Sequence, residues 1–147
     1  MEVKEDVSRD TFKSSLPIQI RFNDIDALGH INNNIYFSYF DLGKIDYLEN
    51  LRTSYVSWTD GIIVIARIEV DFVSPVFYKE KVAVDTKVTK IGNKSVVFLQ
   101  QVRNVLTGEI KCRCHSVVVA YNPKTHQAMA VPEIWRHGMS EFEGMKF

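Results

Sequence analysis

Residues 21–41, RFNDIDALGHINNNIYFSYFD, gather the side chains with the most chemistry in the sequence. Asp24 and Asp26 stand two apart, Gly29 permits a sharp turn, and His30 precedes Asn32, Asn33 and Asn34. These residues fall where an alternating, strand-like stretch gives way to a long aromatic-rich one that reads as helix. A helix amino terminus leaves backbone N–H groups unpaired and directs positive potential outward. A carboxylate beside such groups is equipped to break a thioester. The carboxylate delivers a nucleophile to the carbonyl, and the N–H groups receive the oxygen as it becomes negative. The leaving thiol, with a pKa of about 8.5 by analogy with cysteine, departs without a strong general acid.

Each of these residues also has a plainer reading. Asp26 can simply cap the helix, as Asp and Asn do in many proteins. Asp24 reads as a local cap or pairing partner, and His30 equally well as a turn residue with a satisfied hydrogen bond. DIDALG has acids at the first and third positions of a calcium loop and glycine at the sixth. Leu28 and Ile35 occupy the fifth and twelfth positions, where oxygen ligands are needed, so calcium is rejected. Cys112, Cys114 and His115 lack paired C-x-x-C spacing, and alternation sends His115 to the opposite face from the cysteines. No metal site is expected, and the two cysteines read as small core side chains. His126 and His137 read as solvated. There is no G-x-S-x-G and no glycine-rich phosphate loop.

The elements that must position the acidic segment follow from periodicity. Residues 17–22 alternate as a strand. Residues 34–51 contain one glycine and no proline, and their apolar residues run well around a helical cylinder, which predicts a buried helix. Gly43 in its middle costs about 1 kcal/mol against alanine, a cost that close approach to another backbone can offset. Residues 62–73 are β-branched, with Ala66, Ile68, Val70 and Phe72 on one face. Strands are expected at 82–91, 95–105 and 109–121, with turns at Gly92-Asn93 and Thr107-Gly108. The tail after Pro123 shows little pattern. The expectation is an α+β fold: one long buried helix wrapped by a five-stranded antiparallel sheet. Residues 1–147 form a single domain in this reading, with its core at about 17–122. Such a layer leaves sheet edges and part of the helix uncovered, which predicts at least a homodimer.

The acidic segment resembles the signature of the 4-hydroxybenzoyl-CoA thioesterase-like family of hotdog proteins, roughly an apolar or aromatic residue and then D-x-D-x-x-G-H-x-N-N before an aromatic-rich helix. The matching residues are Phe22, Asp24, Asp26, Gly29, His30, Asn32 and Asn33, followed by Tyr36, Tyr39 and Phe40. The element order is also similar to the hotdog fold over about residues 17–122. The resemblance implies hydrolysis of an acyl-CoA thioester to the free acid and coenzyme A. Asp26 is implied as general base or nucleophile, and a backbone N–H at about Asn33 as the oxyanion donor. Gly29 and His30 are implied to shape the turn beneath the thioester. Coenzyme A enters as part of the substrate, so no separate cofactor is expected. Its phosphates need basic residues near the tunnel mouth; Lys90 and Lys94 are the candidates, with Arg67 and Lys79 behind them. A homodimer or homotetramer is implied. Hydrolysis of an acyl group on acyl carrier protein, and acyl-thioester binding without cleavage, are the alternatives.

Bulk composition agrees with a folded enzyme. Hydrophobic residues make up 46% and charged residues 24%, against disorder. Lys+Arg and Asp+Glu are both 18, so the basic excess of a nucleic-acid partner is missing. The amino terminus is polar, and no apolar run approaches the roughly 20 residues of a membrane helix. A cytoplasmic protein with reduced thiols and no membrane partner is expected.

Overall fold

A computed structural model of the chain describes residues 12–51 and 61–147. The first strand, β1, is Ser14–Ile18, and a short 3-10 turn at Phe22–Asp24 leads toward helix α1, Ile35–Glu49. Four strands follow: β2 (Ile62–Phe72), β3 (Val82–Ile91), β4 (Ser95–Asn104) and β5 (Ile110–Asn122). A two-residue strand β6 (Gln127–Ala128) and helix α2 (Glu133–Glu143) close the chain. The sheet order is β1-β3-β4-β5-β2, antiparallel throughout, with β6 added against the end of β5. The expected strand, helix, four-strand order is therefore present, extended by β6 and α2.

Alternation explains which face of the sheet meets the helix. Val82, Val84, Thr86 and Val88 of β3, Val96, Phe98, Gln100 and Val102 of β4, and Cys112, Cys114, Ser116 and Val118 of β5 are all buried. Two apolar clusters result. One joins Ile31, Tyr36, Tyr39 and Phe40 to Val82, Val84, Val102, Cys112 and Cys114. The other joins Tyr47, Leu48 and Leu51 to Val88, Ile91, Val96, Phe98 and Val118. Between them, Gln100 donates its amide N–H groups to the Phe40 carbonyl at 2.9 Å and to Thr86 Oγ1 at 3.0 Å.

Burial of α1 is one-sided. Tyr36, Tyr39, Phe40, Gly43, Tyr47 and Leu48 face the sheet, while Phe37, Leu42 and Ile45 are exposed. The sequence predicts burial on most sides; a single chain supplies one covering layer, so the opposite apolar stripe faces outward. Edge strand β2 likewise leaves Val64, Ile65 and Phe72 exposed.

Three local expectations shift. The first strand begins earlier, because β1 pairs Ser14 with Thr86 through to Ile18 with Val82, and Pro17 is tolerated at this sheet edge. The hairpin after β3 is centred on Asn93-Lys94, closed by the Gly92 N–H donating to the Ser95 carbonyl at 2.8 Å. The buried Ile91–Val96 pair sets that register, so it moves the turn one residue beyond Gly92-Asn93. The core also extends past residue 122. Trp135 and Met139 of α2 pack on the Tyr47 cluster. The Thr107-Gly108 turn stands as expected, with Gly108 at φ 78°.

Gly43 is where helix and sheet come closest. A Cβ there would lie 2.6 Å from Val84 Cγ1 and 2.9 Å from both Gln100 Nε2 and Thr86 Oγ1. Gly43→Ala is expected to destabilise the fold by about 1–3 kcal/mol through overpacking, despite alanine's ~1 kcal/mol helix advantage. A lowered urea midpoint with an unchanged slope is the expected readout.

Candidate active site

The acidic segment folds as a small antiparallel finger ahead of α1. Its root is Asp24, which is fully buried. Asp24 accepts hydrogen bonds from the Arg21 backbone N–H at 3.0 Å, from Arg21 Nε at 3.2 Å and from Arg21 Nη2 at 3.0 Å. On its other side it accepts one from the Tyr39 hydroxyl at 2.7 Å. Burial pushes the Asp24 carboxyl up, but the Tyr39 and Arg21 hydrogen bonds and the guanidinium charge outweigh it, and the net shift is downward. Tyr39 moves upward, first through burial and then through its bond to the carboxylate. Asp24 thus ties the 3-10 turn to the second turn of α1, in the pairing role its sequence context offered.

From Asp24 the backbone crosses over and back. The Asn32 N–H donates to the Asp24 carbonyl at 3.0 Å, Ile25 bridges Ile31, and the Asp26 N–H donates to the His30 carbonyl at 3.1 Å. The tip closes when the Gly29 N–H donates to the Asp26 carbonyl at 3.1 Å, with Gly29 at φ 86°, a conformation that favours glycine. Asp26 Oδ1 accepts the Leu28 N–H at 2.9 Å. Its Oδ2 has no hydrogen-bond donor among the described residues, and the side chain is half-buried. One carboxylate oxygen is held while the other points free.

The start of α1 completes the arrangement. Asn32 Oδ1 accepts the Asn34 N–H at 3.0 Å, and the Asn32 carbonyl accepts the Ile35 N–H at 2.9 Å. With the Asn32 N–H committed to Asp24, the Asn33 N–H is left without an acceptor among the described residues. Asp26, Gly29 and His30 therefore share one turn, and Asn33 follows at the helix entrance. His30 is half-buried, with its ring edge-on to Phe77 at 6.3 Å between centroids, and Nδ1 lies 3.4 Å from the Ile31 carbonyl. Phe77, which packs against His30, carries no sequence signal linking it to this turn; it arrives from a position distant along the chain.

Lys90 and Lys94 lie elsewhere. They sit at the β3–β4 hairpin, beside the cluster that packs on the carboxyl-terminal half of α1. A helix of this length spans about 22 Å, so one chain does not bring them to Asp26. Arg67 is exposed on β2, and Lys79 is exposed in the loop that follows it. A cleft of about 310 Å³ lined by Asn50, Gly138, Glu141 and Phe142 also opens at that far end and touches none of the candidate residues. Cys112 and Cys114 are buried free thiols, pushed up to about 12 by burial, and so are poor nucleophiles at neutral pH. Among the described residues, no three His, Cys, Asp or Glu side chains are grouped to hold a metal ion, and no helix is long and apolar enough to cross a membrane.

The chain matches the model of the Thioesterase-like superfamily over residues 20–137. Among solved structures, it is similar to a thioesterase from Thermus thermophilus complexed with coenzyme A and Zn. Identity is 26% and the TM-score 0.82, covering 94% of this chain and 99% of that one. A predicted thioesterase from Bacillus stearothermophilus is 26% identical with a TM-score of 0.77, over 88% of this chain and 95% of that one. The DHNA-CoA thioesterase from Staphylococcus aureus shares the fold at 23% identity and a TM-score of 0.79, over 89% of this chain and 91% of that one. Comparison with curated protein sequences gives no match. The fold is the hotdog, and the class is thioester hydrolase. The chain belongs to the Thioesterase-like superfamily.

The Asp24–Tyr39 bond makes a pH-dependent contribution with a definite sign. The folded pKa of Asp24 lies below its unfolded value, so its stabilisation is present above the ordinary carboxylate value and fades as pH falls through the folded one. Tyr39→Phe is expected to destabilise by about 1.5–3 kcal/mol at neutral pH, the range for a hydrogen bond to a charged group. That deficit should shrink as pH falls below the ordinary carboxylate value and vanish below the lower folded pKa of the wild type, where the carboxylate is protonated in both variants. Denaturant melts across the acid range measure it.

Proposed function

We propose that the protein hydrolyses an acyl-coenzyme A thioester, with Asp26 as the reacting carboxylate and the Asn33 N–H as an oxyanion donor. The observation that carries this reading is that one Asp26 carboxylate oxygen in the turn and the Asn33 amide at the entrance of α1 are both left without partners among the described residues. Asp26 Oδ2 either takes a proton from water as the water oxygen bonds to the carbonyl carbon, or bonds to that carbon itself to form a mixed anhydride that water then opens. In either route the carbon–sulfur bond breaks and the sulfur leaves as thiolate. The Asn33 amide stabilises the oxyanion between these events. Gly29 gives the turn its path, and His30 braces it against Phe77. The coenzyme A bound to the Thermus relative supports a coenzyme A ester as substrate. No resident cofactor enters this chemistry.

The reading includes self-association. Phe22, Leu28, Phe72, Phe77 and Tyr78 are exposed on the loops and strand end near the turn, and β2 is unpaired along one side among the described residues. A second copy covers such surface in a homodimer, or in a homotetramer built from two dimers. Lys90 and Lys94 meet the coenzyme phosphates only if that second copy presents them.

Free-thiol release from a panel of acyl-CoAs tests the proposal. Asp26→Ala and Asp26→Asn are each expected to lose at least ~10²–10⁴-fold in kcat, the range for removal of a general base, with circular dichroism unchanged. Activity that survives in pure Asp26→Ala protein sinks the assignment. Wild-type inactivity on every acyl-CoA turns the test to acyl carrier protein thioesters, and then to binding without cleavage.

A further inference from the structure

The catalytic turn is held to the sheet by a second segment, residues 73–81, which connects β2 to β3. The Ile31 N–H donates to the Val76 carbonyl at 2.8 Å, and His30 bridges Phe77 in antiparallel fashion. The position of the turn therefore depends on what fixes this loop. The loop has no strand of its own. Val76 is buried in the core and the Lys81 carbonyl accepts the Val105 N–H at 2.9 Å, while the remaining fixed points converge on one residue of β5.

That residue is Lys111. Its carbonyl accepts the Val73 N–H at 2.9 Å and the Ser74 N–H at 3.0 Å. Its ammonium group donates to the Pro75 carbonyl at 3.2 Å and pairs with Glu80 Oε1 at 2.8 Å and Glu109 Oε2 at 3.1 Å. The three ammonium protons thus have three acceptors, which is the condition for burying a lysine. Glu80 in turn accepts the Phe77 N–H at 2.7 Å on Oε2 and the Asn104 amide at 2.9 Å on Oε1. Three successive loop residues are tied to Lys111 directly, and Phe77 is tied through Glu80.

We infer that Lys111 is a positioning residue for thioester cleavage, acting through Glu80, Pro75 and the 76–77 backbone to hold the His30–Ile31 side of the catalytic turn. This inference rests on the reading of Asp26 as the reacting carboxylate. Without the ammonium, the loop loses its tie at Pro75, and Glu80 and Glu109 face each other as like charges. The turn then keeps its Asp24 root, the Val73 and Ser74 ties to the residue-111 carbonyl remain, and the brace at 75–77 is loosened. Burial disfavours the charged form of both partners. Their mutual hydrogen bonds, together with those Glu80 accepts from Phe77 and Asn104, reverse this, leaving Glu80 shifted down and Lys111 shifted up. Both are charged at neutral pH.

The test pairs kinetics with amide exchange in Lys111→Met and, as an isosteric second route, Glu80→Gln. Exchange of the Ile31 amide is expected to speed up while amides of the β3–β4 hairpin at the far end keep wild-type protection. In the same variants kcat should fall about ten- to a hundredfold, the scale set by small misplacement of a catalytic group, with KM little changed. If Lys111→Met does not fold, Glu80→Gln carries both readouts. Unchanged Ile31 exchange in the folded variant overturns the inference, as does loosened exchange with wild-type kcat. The exchange measurement needs no substrate. Wild-type inactivity on thioesters would therefore count against the hydrolase reading, while the amide result still decides whether Lys111 holds the turn.

Discussion

One buried carboxylate sets the geometry of this protein's working end. Asp24 is out of solvent with Arg21 on one side and Tyr39 on the other, and each partner belongs to a different element. A charge in that position is stable only if its hydrogen bonds are made, so the 3-10 turn and α1 must meet at this point. Everything downstream inherits that fixed point. The carbonyl of the same residue takes the Asn32 amide, Asn32 in turn organises the first turn of α1, and the Asp26 carboxylate is left projecting from the finger. Burial thus separates the two acids of D-x-D: Asp24 is tied into the structure, and Asp26 keeps one carboxylate oxygen free among the described residues.

Much of the fold is legible in the sequence because it is written in period. The alternation of β3, β4 and β5 predicts which residues face α1, and Cys112 and Cys114 fall on that face together as expected. The legible parts are those where burial repeats over several residues. The less legible parts depend on a single long-range pairing. Ile91 opposite Val96 moves a turn by one residue. Trp135 and Met139 make a helix out of a tail whose pattern is too short to read alone, because their target, the Tyr47 cluster, is far away in sequence. The one-sided burial of α1 belongs here too. Its apolar residues announce two covered faces, and one chain provides the cover for one.

The site divides along the same line. Asp26, Gly29, His30 and Asn33 are contiguous enough for the motif to bring them forward, and the turn assembles them with local hydrogen bonds from its own backbone and from Asp24, Asp26 and Asn32. Phe77, Glu80 and Lys111 come from outside the motif, and Tyr39 lies in its aromatic helix without its role being marked. Tyr39 reads as one more helix aromatic until its hydroxyl is seen against Asp24. Lys111 carries no mark in the sequence, and only the fold encloses its ammonium with three acceptors. The candidate residues are close in sequence here, and several of the residues that hold them are not. Lys90 and Lys94 show the limit of the reverse argument: a basic pair beside a turn has no address until the fold supplies one.

The Gln100 amide bears on how the helix sits. An apolar helix on an apolar sheet is free to slide, because the dispersion attraction given up at one position is recovered at the next. Gln100 removes that freedom. It reaches up to a helix carbonyl that the α1 ladder leaves accessible and across to Thr86, and neither bond survives axial displacement of the helix by even one residue rise, about 1.5 Å. The peg therefore works as a vernier stop. It converts the pitch of α1 into a fixed distance between the sheet and the helix entrance, so the uncommitted Asn33 amide is placed by a sheet side chain that grips α1 about two turns further along.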